Sequence, residues 1–253
     1  MRLIIIRHGQ SQGNVDTSQY TALGDSKIGL TDLGWTQAIA AGKFLKQYYE
    51  STQTNQWPYV FLSAYQRTQE TLSGLVHGMH ELGFDGEPTI HLDPRLIERF
   101  GGASYAMRSG TGPVDKTLSH QFAKMAEDTY QRDSFTTRNL LGESNKDIYM
   151  AVQSFMDGTL SRVHESGQND MIVVCHGIVY REFVRAMGEL PFTADLPTPK
   201  NCDILEATKD DINGWTVRQI YDGESATPVD VPLLDGHHPY SFSDLPPVPD
   251  HLQ

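Results

Sequence analysis

The chain has 253 residues, two cysteines and a formal net charge of −12. That length suits one generous domain or two small ones with a real core, and the charge argues against nucleic acid or an anionic membrane surface as main partner. Two cysteines make no disulfide framework, no apolar run reaches the roughly 18 residues of a membrane span, and the apolar N-terminus is too short for a signal peptide, so a soluble cytoplasmic protein is expected.

In chain order, Arg2-Leu3-Ile4-Ile5-Ile6 comes first. Its consecutive apolar, mostly β-branched residues read as a strand buried on both faces. The run stops at Arg7-His8-Gly9. A cation and an imidazole at the end of a buried strand stand where open α/β sheets place their ligand sites, and Gly9 lets the backbone turn and a ligand approach. A polar stretch to Gly29 follows, of the kind that is functional or mobile. Thr31-Asp32 offers an N-cap to a helix in which Ala38, Ile39, Ala41, Phe44, Leu45 and Tyr48 keep helical spacing. Tyr59–Leu62 is a short strand that Ser63 ends. A helix from about Tyr65 to Leu82 then carries Arg67 in its first turn, where free N–H groups and the positive dipole end favour an anion. Thr89–Leu92 is a weaker strand, and Pro94–Gly102 after it contains Glu98.

Ser109–Thr117 nearly matches the nucleotide-binding loop G-x-x-x-x-G-K-[ST]. Asp115 replaces the second glycine and would set a carboxylate against phosphates, and no apolar strand precedes it, so the match is rejected. Leu118 to Tyr130 has a helical pattern. Gly142-Glu143-Ser144 opens a long helix to about His164, with Ile148, Val152, Phe155, Met156 and Leu160 inward. Met171–Cys175 is another apolar run that closes on His176-Gly177, followed by a helix to Met187. After a loop with Pro191, Pro197 and Pro199, Lys200-Asn201-Cys202 leads into a strand from Asp203 to Thr208. A turn at Asn213-Gly214 and a strand from Trp215 to Tyr221 make a closing hairpin. From about Asp222 the chain is rich in Pro, Asp and Ser, which predicts an extended or disordered tail over 222–253. His237-His238 there reads as solvent-exposed, and His77 and His80 lack partners in a metal pattern, so no metal is expected.

Two strands that end in His-Gly suggest two imidazoles facing one pocket. Arg7-His8-Gly9-Gln10-Ser11 with Asn14, then Ser63 and Arg67 with Gln69 and Thr71, Glu98, and finally His176-Gly177 resemble, in order, the motifs of the histidine phosphatase superfamily, the phosphoglycerate mutase-like fold of branch 1. The resemblance covers about residues 1–221. It implies a three-layer α/β/α sandwich with a mostly parallel sheet, and a small cap inserted at about residues 103–141 over the C-terminal ends of the strands. Ala64 stands where the family usually has Pro, and the Arg it usually carries near position 150 is absent.

The resemblance also implies roles. Arg7, Arg67, Asn14 and Gly177 would bind phosphate, the arginines through forked donors that Lys cannot match. His8 would attack phosphorus while neutral, its other nitrogen donating to a backbone carbonyl. His176 would donate to a phosphoryl oxygen. Glu98 would protonate the leaving alcohol and then activate water, with a raised pKa. The implied activity is metal-independent, cofactor-free hydrolysis of a small phosphomonoester through a phosphohistidine. A phosphoglycerate mutase would share the intermediate but retain paired arginines in the cap, where this chain offers separated Arg108, Arg132 and Arg138. A binding protein on the same fold would typically have lost the nucleophile or the acid. The expected partner is a small phosphorylated molecule, with no nucleic acid and no membrane, and a homodimer is the assembly to look for.

Overall fold

In a computed structural model of the chain, the described residues are 1–54, 56–102, 121, 124–125, 128–138, 141–210 and 212–236. Their centre is a seven-stranded sheet in the order β3-β2-β4-β1-β5-β6-β7. Strand β1 (Arg2–Arg7) lies in its middle, parallel to β4 (Asp170–Cys175) and antiparallel to β5 (Ile204–Asp210). On one side β4, β2 (Tyr59–Leu62) and β3 (Ile90–Leu92) continue in parallel. On the other, β5, β6 (Gly214–Asp222) and β7 (Thr227–Asp235) are antiparallel. The sheet is therefore evenly mixed rather than mostly parallel, because the chain closes with two successive hairpins that need no crossover helix.

The β-branched run of β1 is buried on both faces, as its composition requires. Leu3 and Ile5 pack with Val152, Phe155, Val179 and Phe183 of helices α5 (Asn145–Phe155) and α7 (Gly177–Met187). Ile4 and Ile6 pack with Ala41, Leu45, Leu75 and Met79 of α3 (Asp32–Ser51) and α4 (Gln66–Glu81). These are the three expected layers. The expected loop before α3 contains two one-turn helices, α1 (Gln12–Val15) and α2 (Gln19–Ala22), and a 3₁₀ turn at Asp25–Lys27. The long helix opened by Ser144 is capped by that serine and Asp147, widens to a π turn at Met156–Leu160, and ends as α6 (Ser161–Glu165).

The tail expected from Asp222 does not begin there. Residues 227–235 form β7, with Pro228 and Pro232 opposite Tyr221 and Arg218. Proline is tolerated there because β7 is the edge strand of the sheet among the described residues, so its outward N–H groups need no ladder partner. His237-His238 and residues 239–253 lie outside the described residues, as do Ser109–Thr117 and most of the expected cap; within the latter, residues 128–132 are helical. Among the described residues, no helix is long and apolar enough to cross a membrane, and no three His, Cys, Asp or Glu side chains are grouped to hold a metal ion.

One buried ion pair ties α7 to the loop after it. Arg185 Nε donates to Glu182 at 2.9 Å, and Nη1 donates to Pro191 O at 2.6 Å, with both side chains almost fully enclosed. Arg185→Met leaves a buried carboxylate without its cation, a change that typically costs about 3–5 kcal/mol. Chemical denaturation should show that loss with an unchanged m-value.

Candidate active site

The C-terminal ends of β1, β2 and β4 converge. β1 delivers Arg7 and His8, β4 delivers His176, and β2 delivers Ser63 with α4 and its Arg67 directly behind. Close packing fixes the entry: a Cβ at Gly9 would lie 2.5 Å from Gly34 O, so only glycine lets β1 run against the start of α3. Gly9 N donates to Thr71 Oγ1 at 3.0 Å, which in turn donates to Arg67 O.

The imidazoles of His8 and His176 lie edge to face, their centroids 5.3 Å apart, and both are buried. His8 Nδ1 is 2.7 Å from Gly9 O and donates to it, since a carbonyl can only accept. That fixes the tautomer and leaves the Nε2 lone pair free. His176 uses Nε2 for Ser63 Oγ at 2.7 Å, while its Nδ1 is buried with no partner among the described residues. Burial, reinforced by Arg67 and Arg7, pushes both imidazoles well below the usual histidine value, which favours their neutral forms.

The two arginines are each anchored at one end. Arg7 Nη1 donates to Pro199 O at 2.5 Å, and its buried Nε has no partner among the described residues. Arg67, 1% exposed, donates through Nη1 to Asp25 O at 2.7 Å, lies 2.8 Å from Asp25 Oδ1, and also has a buried Nε with no partner among the described residues. Its guanidinium covers the Tyr65 ring at 4.9 Å. Burial raises the Asp25 carboxyl although Arg67 opposes the shift.

Glu98 follows the 3₁₀ turn Pro94–Leu96, which Asp93 caps by accepting from Arg95 N. Its Oε1 accepts from Arg99 N at 2.9 Å. Burial raises its pKa, against Arg99 N–H and the charges of Arg67, Arg7 and Arg99; in return Glu98 is the strongest charge that favours Arg7 as a cation. Asn14 stands at the rim, its Oδ1 accepting from Ser11 N at 3.0 Å and from Asn201 Nδ2 at 3.2 Å. Gly177 opens α7, where His176 is the N-cap, and a Cβ on it would lie 3.5 Å from Arg7 Nε.

Arg7, His8, Arg67, Glu98 and His176 thus lie near enough to act on one another electrostatically, with Asn14 linked to His8 O through Asn201 and Gly177 beside Arg7 Nε. The reading of the sequence passed over Asp25, Tyr65 and Asn201. Asp25 and Asn201 sit in polar loops with no motif to mark them, and only the folded chain brings them to Arg67 and His8.

Comparison with known proteins identifies the family and the fold. The family profile of the histidine phosphatase superfamily (branch 1) matches residues 3–222. The chain belongs to that superfamily. Two phosphoglycerate mutase-like proteins of Arabidopsis thaliana are 29% and 30% identical to this histidine phosphatase superfamily member, each over 72% of the chain. It spans only 56% and 64% of their own lengths. A 2,3-bisphosphoglycerate-dependent phosphoglycerate mutase of Bartonella henselae is 30% identical over 74% of the chain and 82% of its own length. Among solved structures, an Escherichia coli protein described as a putative alpha-ribazole-5'-P phosphatase superposes with a TM-score of 0.61 at 20% identity, covering 87% of this chain and 95% of that one. A mycobacterial glucosyl-3-phosphoglycerate phosphatase gives 0.59 at 21% identity, covering 86% and 96%. At such identities these two show the fold.

Burial and the nearby arginines hold the His176 imidazole well below its usual range; a phosphate dianion beside its Nδ1 would favour the charged imidazolium, so phosphate binding there is expected to be coupled to proton uptake. Calorimetry of inorganic phosphate binding in buffers of different ionisation enthalpy should show uptake of up to about one proton, and His176→Ala should remove it.

Proposed function

We propose that the chain is a metal-independent phosphatase that hydrolyses a small phosphomonoester through a phosphohistidine on His8. The observation that carries this is a set of three buried nitrogens that have no partner among the described residues, Arg7 Nε, Arg67 Nε and His176 Nδ1, near an imidazole whose Nδ1 is committed to Gly9 O. Buried polar groups are rarely left unsatisfied, and nitrogens of two guanidiniums and an imidazole suit a phosphoryl group.

In the first step the His8 Nε2 lone pair attacks phosphorus. The P–O ester bond breaks, its electron pair leaves on the alcohol oxygen, and Glu98 supplies the proton. In the second, Glu98 as carboxylate takes a proton from water, whose oxygen displaces His8 and releases inorganic phosphate. Arg7, Arg67 and His176 hold the equatorial oxygens throughout, the positioning and charge stabilisation that phosphoryl transfer asks of a protein.

Mutase-type transfer is the second reading, favoured by the relatives named as phosphoglycerate mutases. A mutase must hold its substrate's carboxylate and keep water from the phosphoenzyme. Of the scattered cap arginines, Arg138 is exposed and already paired with Asp147, which supports water as the acceptor. The test supplies 3-phosphoglycerate with a catalytic amount of the 2,3-bisphosphate in EDTA and follows both products by phosphorus NMR, beside a panel of phosphorylated metabolites. Release of inorganic phosphate from a member of the panel is expected. Formation of 2-phosphoglycerate without matching phosphate release would select the mutase, and activity that appears only on adding a divalent metal would remove the metal-independent mechanism.

A further inference from the structure

The turn 199–203, which joins the loop after α7 to β5, touches the site at more points than any catalytic role assigned above requires. Pro199 O receives Arg7 Nη1. Asn201 Nδ2 donates to His8 O at 3.0 Å and to Asn14 Oδ1 at 3.2 Å. Cys202 N–H is shared between Arg7 O at 3.2 Å and His8 O at 3.3 Å, and Asp203 O accepts from Arg7 N at 3.2 Å.

The turn keeps this shape against local preference. Cys202 is fully buried and has φ +60°, a left-handed conformation that L residues seldom adopt away from turns and functional sites. Asp203 holds it there, its carboxylate accepting from Lys200 N at 2.6 Å and Gly223 N at 2.9 Å. A Cβ on Gly223 would lie 2.0 Å from Asn201 O, so the β6–β7 turn can close on this segment only as glycine. A shape maintained from three directions, with its donors aimed at the nucleophile's own carbonyl, calls for a purpose beyond connection.

We propose, on the phosphatase reading above, that Asn201 is a positioning residue that sets the polarity of Asn14 and fixes the His8–Gly9 peptide. An asparagine amide offers an acceptor at one end and donors at the other. With Ser11 N and Asn201 Nδ2 both donating to Oδ1, the NH₂ of Asn14 is the end left for an anion. The donors on His8 O hold the peptide one residue before Gly9 O, the acceptor that fixes the nucleophile's tautomer. Asn201 itself acts on phosphate only through these two neighbours.

The experiment is a double-mutant cycle between Asn201 and Asn14, read as the affinity of inorganic phosphate and of orthovanadate and as kcat/KM on p-nitrophenyl phosphate. Asn201→Asp keeps the shape but turns the donor into an acceptor, and Asn201→Ala removes the donor without adding charge. Both should weaken phosphate binding, the Asp variant by about 10- to 100-fold, at a thermal midpoint near that of the wild type. Asn14→Ala should weaken it as well, and combining it with Asn201→Ala should cost less than the product of the two single effects. Wild-type affinity in both Asn201 variants, or penalties that simply multiply, would overturn the role of Asn201 while leaving the phosphatase reading in place. Absence of phosphate binding by the wild-type chain would remove the phosphatase reading and this role with it.

Discussion

His8→Ala should lower turnover of p-nitrophenyl phosphate by on the order of 10⁴-fold or more, because no neighbouring group can replace a nucleophile that forms the covalent bond. Two features prepare the ring. Its Nδ1 hydrogen is committed to Gly9 O at 2.7 Å, so the lone pair is on Nε2. Burial and the charges of Arg67 and Arg7 hold its pKa well below the ordinary imidazole value, so under the proposed mechanism it would attack without first losing a proton. Rapid quenching of the wild type during turnover should trap a phosphate on His8 that survives base and is lost in acid, as expected of a P–N bond. Substantial turnover by His8→Ala, or the label on another residue, would overturn the assignment.

Glu98→Gln should separate substrates by leaving group. A p-nitrophenolate departs with little help, so that substrate should lose little, whereas an alkyl phosphate, whose alkoxide needs a proton, should lose about 10²- to 10⁴-fold. The pH dependence carries the same signature. Burial raises the Glu98 carboxyl above its ordinary value, so the acid form persists further toward neutrality. On alkyl phosphates the wild type should lose activity as pH rises through that raised value, and Glu98→Gln should lose this limb of the profile. Equal losses on both substrates would move the role elsewhere, with Glu143 the next carboxylate to test. Glu143 is engaged at both ends, Oε2 accepting from Phe100 N at 2.7 Å and its N–H donating to Phe100 O at 2.9 Å, which suits a brace better than an acid.

What the sequence made legible was local. An apolar run that stops on His-Gly reads as a buried strand end, and both such ends lie on adjacent strands, β1 and β4. The N-cap at Thr31, which accepts from Gly34 N at 3.1 Å, and the first-turn position of Arg67 follow from spacing of a few residues. What stayed hidden depends on distant partners. Asn201 meets His8 across 193 positions of sequence, and Asp25 meets Arg67 across 42, and neither residue type nor neighbourhood advertises the meeting. Pro228 and Pro232 read as breakers because local chemistry cannot say that the strand they occupy is the last of its sheet.

That last strand has a consequence for how the protein behaves among its own copies. An unpaired strand edge is a template for indiscriminate pairing, and proteins blunt it with prolines and charges. β7 carries Pro228, Asp230 and Pro232 along its length, whereas β6, which it covers, carries Trp215, Val217, Ile220 and Tyr221 and no proline. A chain ended at residue 222, where the family match stops, would retain every residue of the candidate site. It would also bare the nine residues of β6 as an adhesive border and uncover Gly188, against which Leu234 now packs. The fourteen residues from Gly223 to Gly236 thus act as a selvedge, a finished margin that guards colloidal behaviour while contributing only the Gly223 anchor to the chemistry.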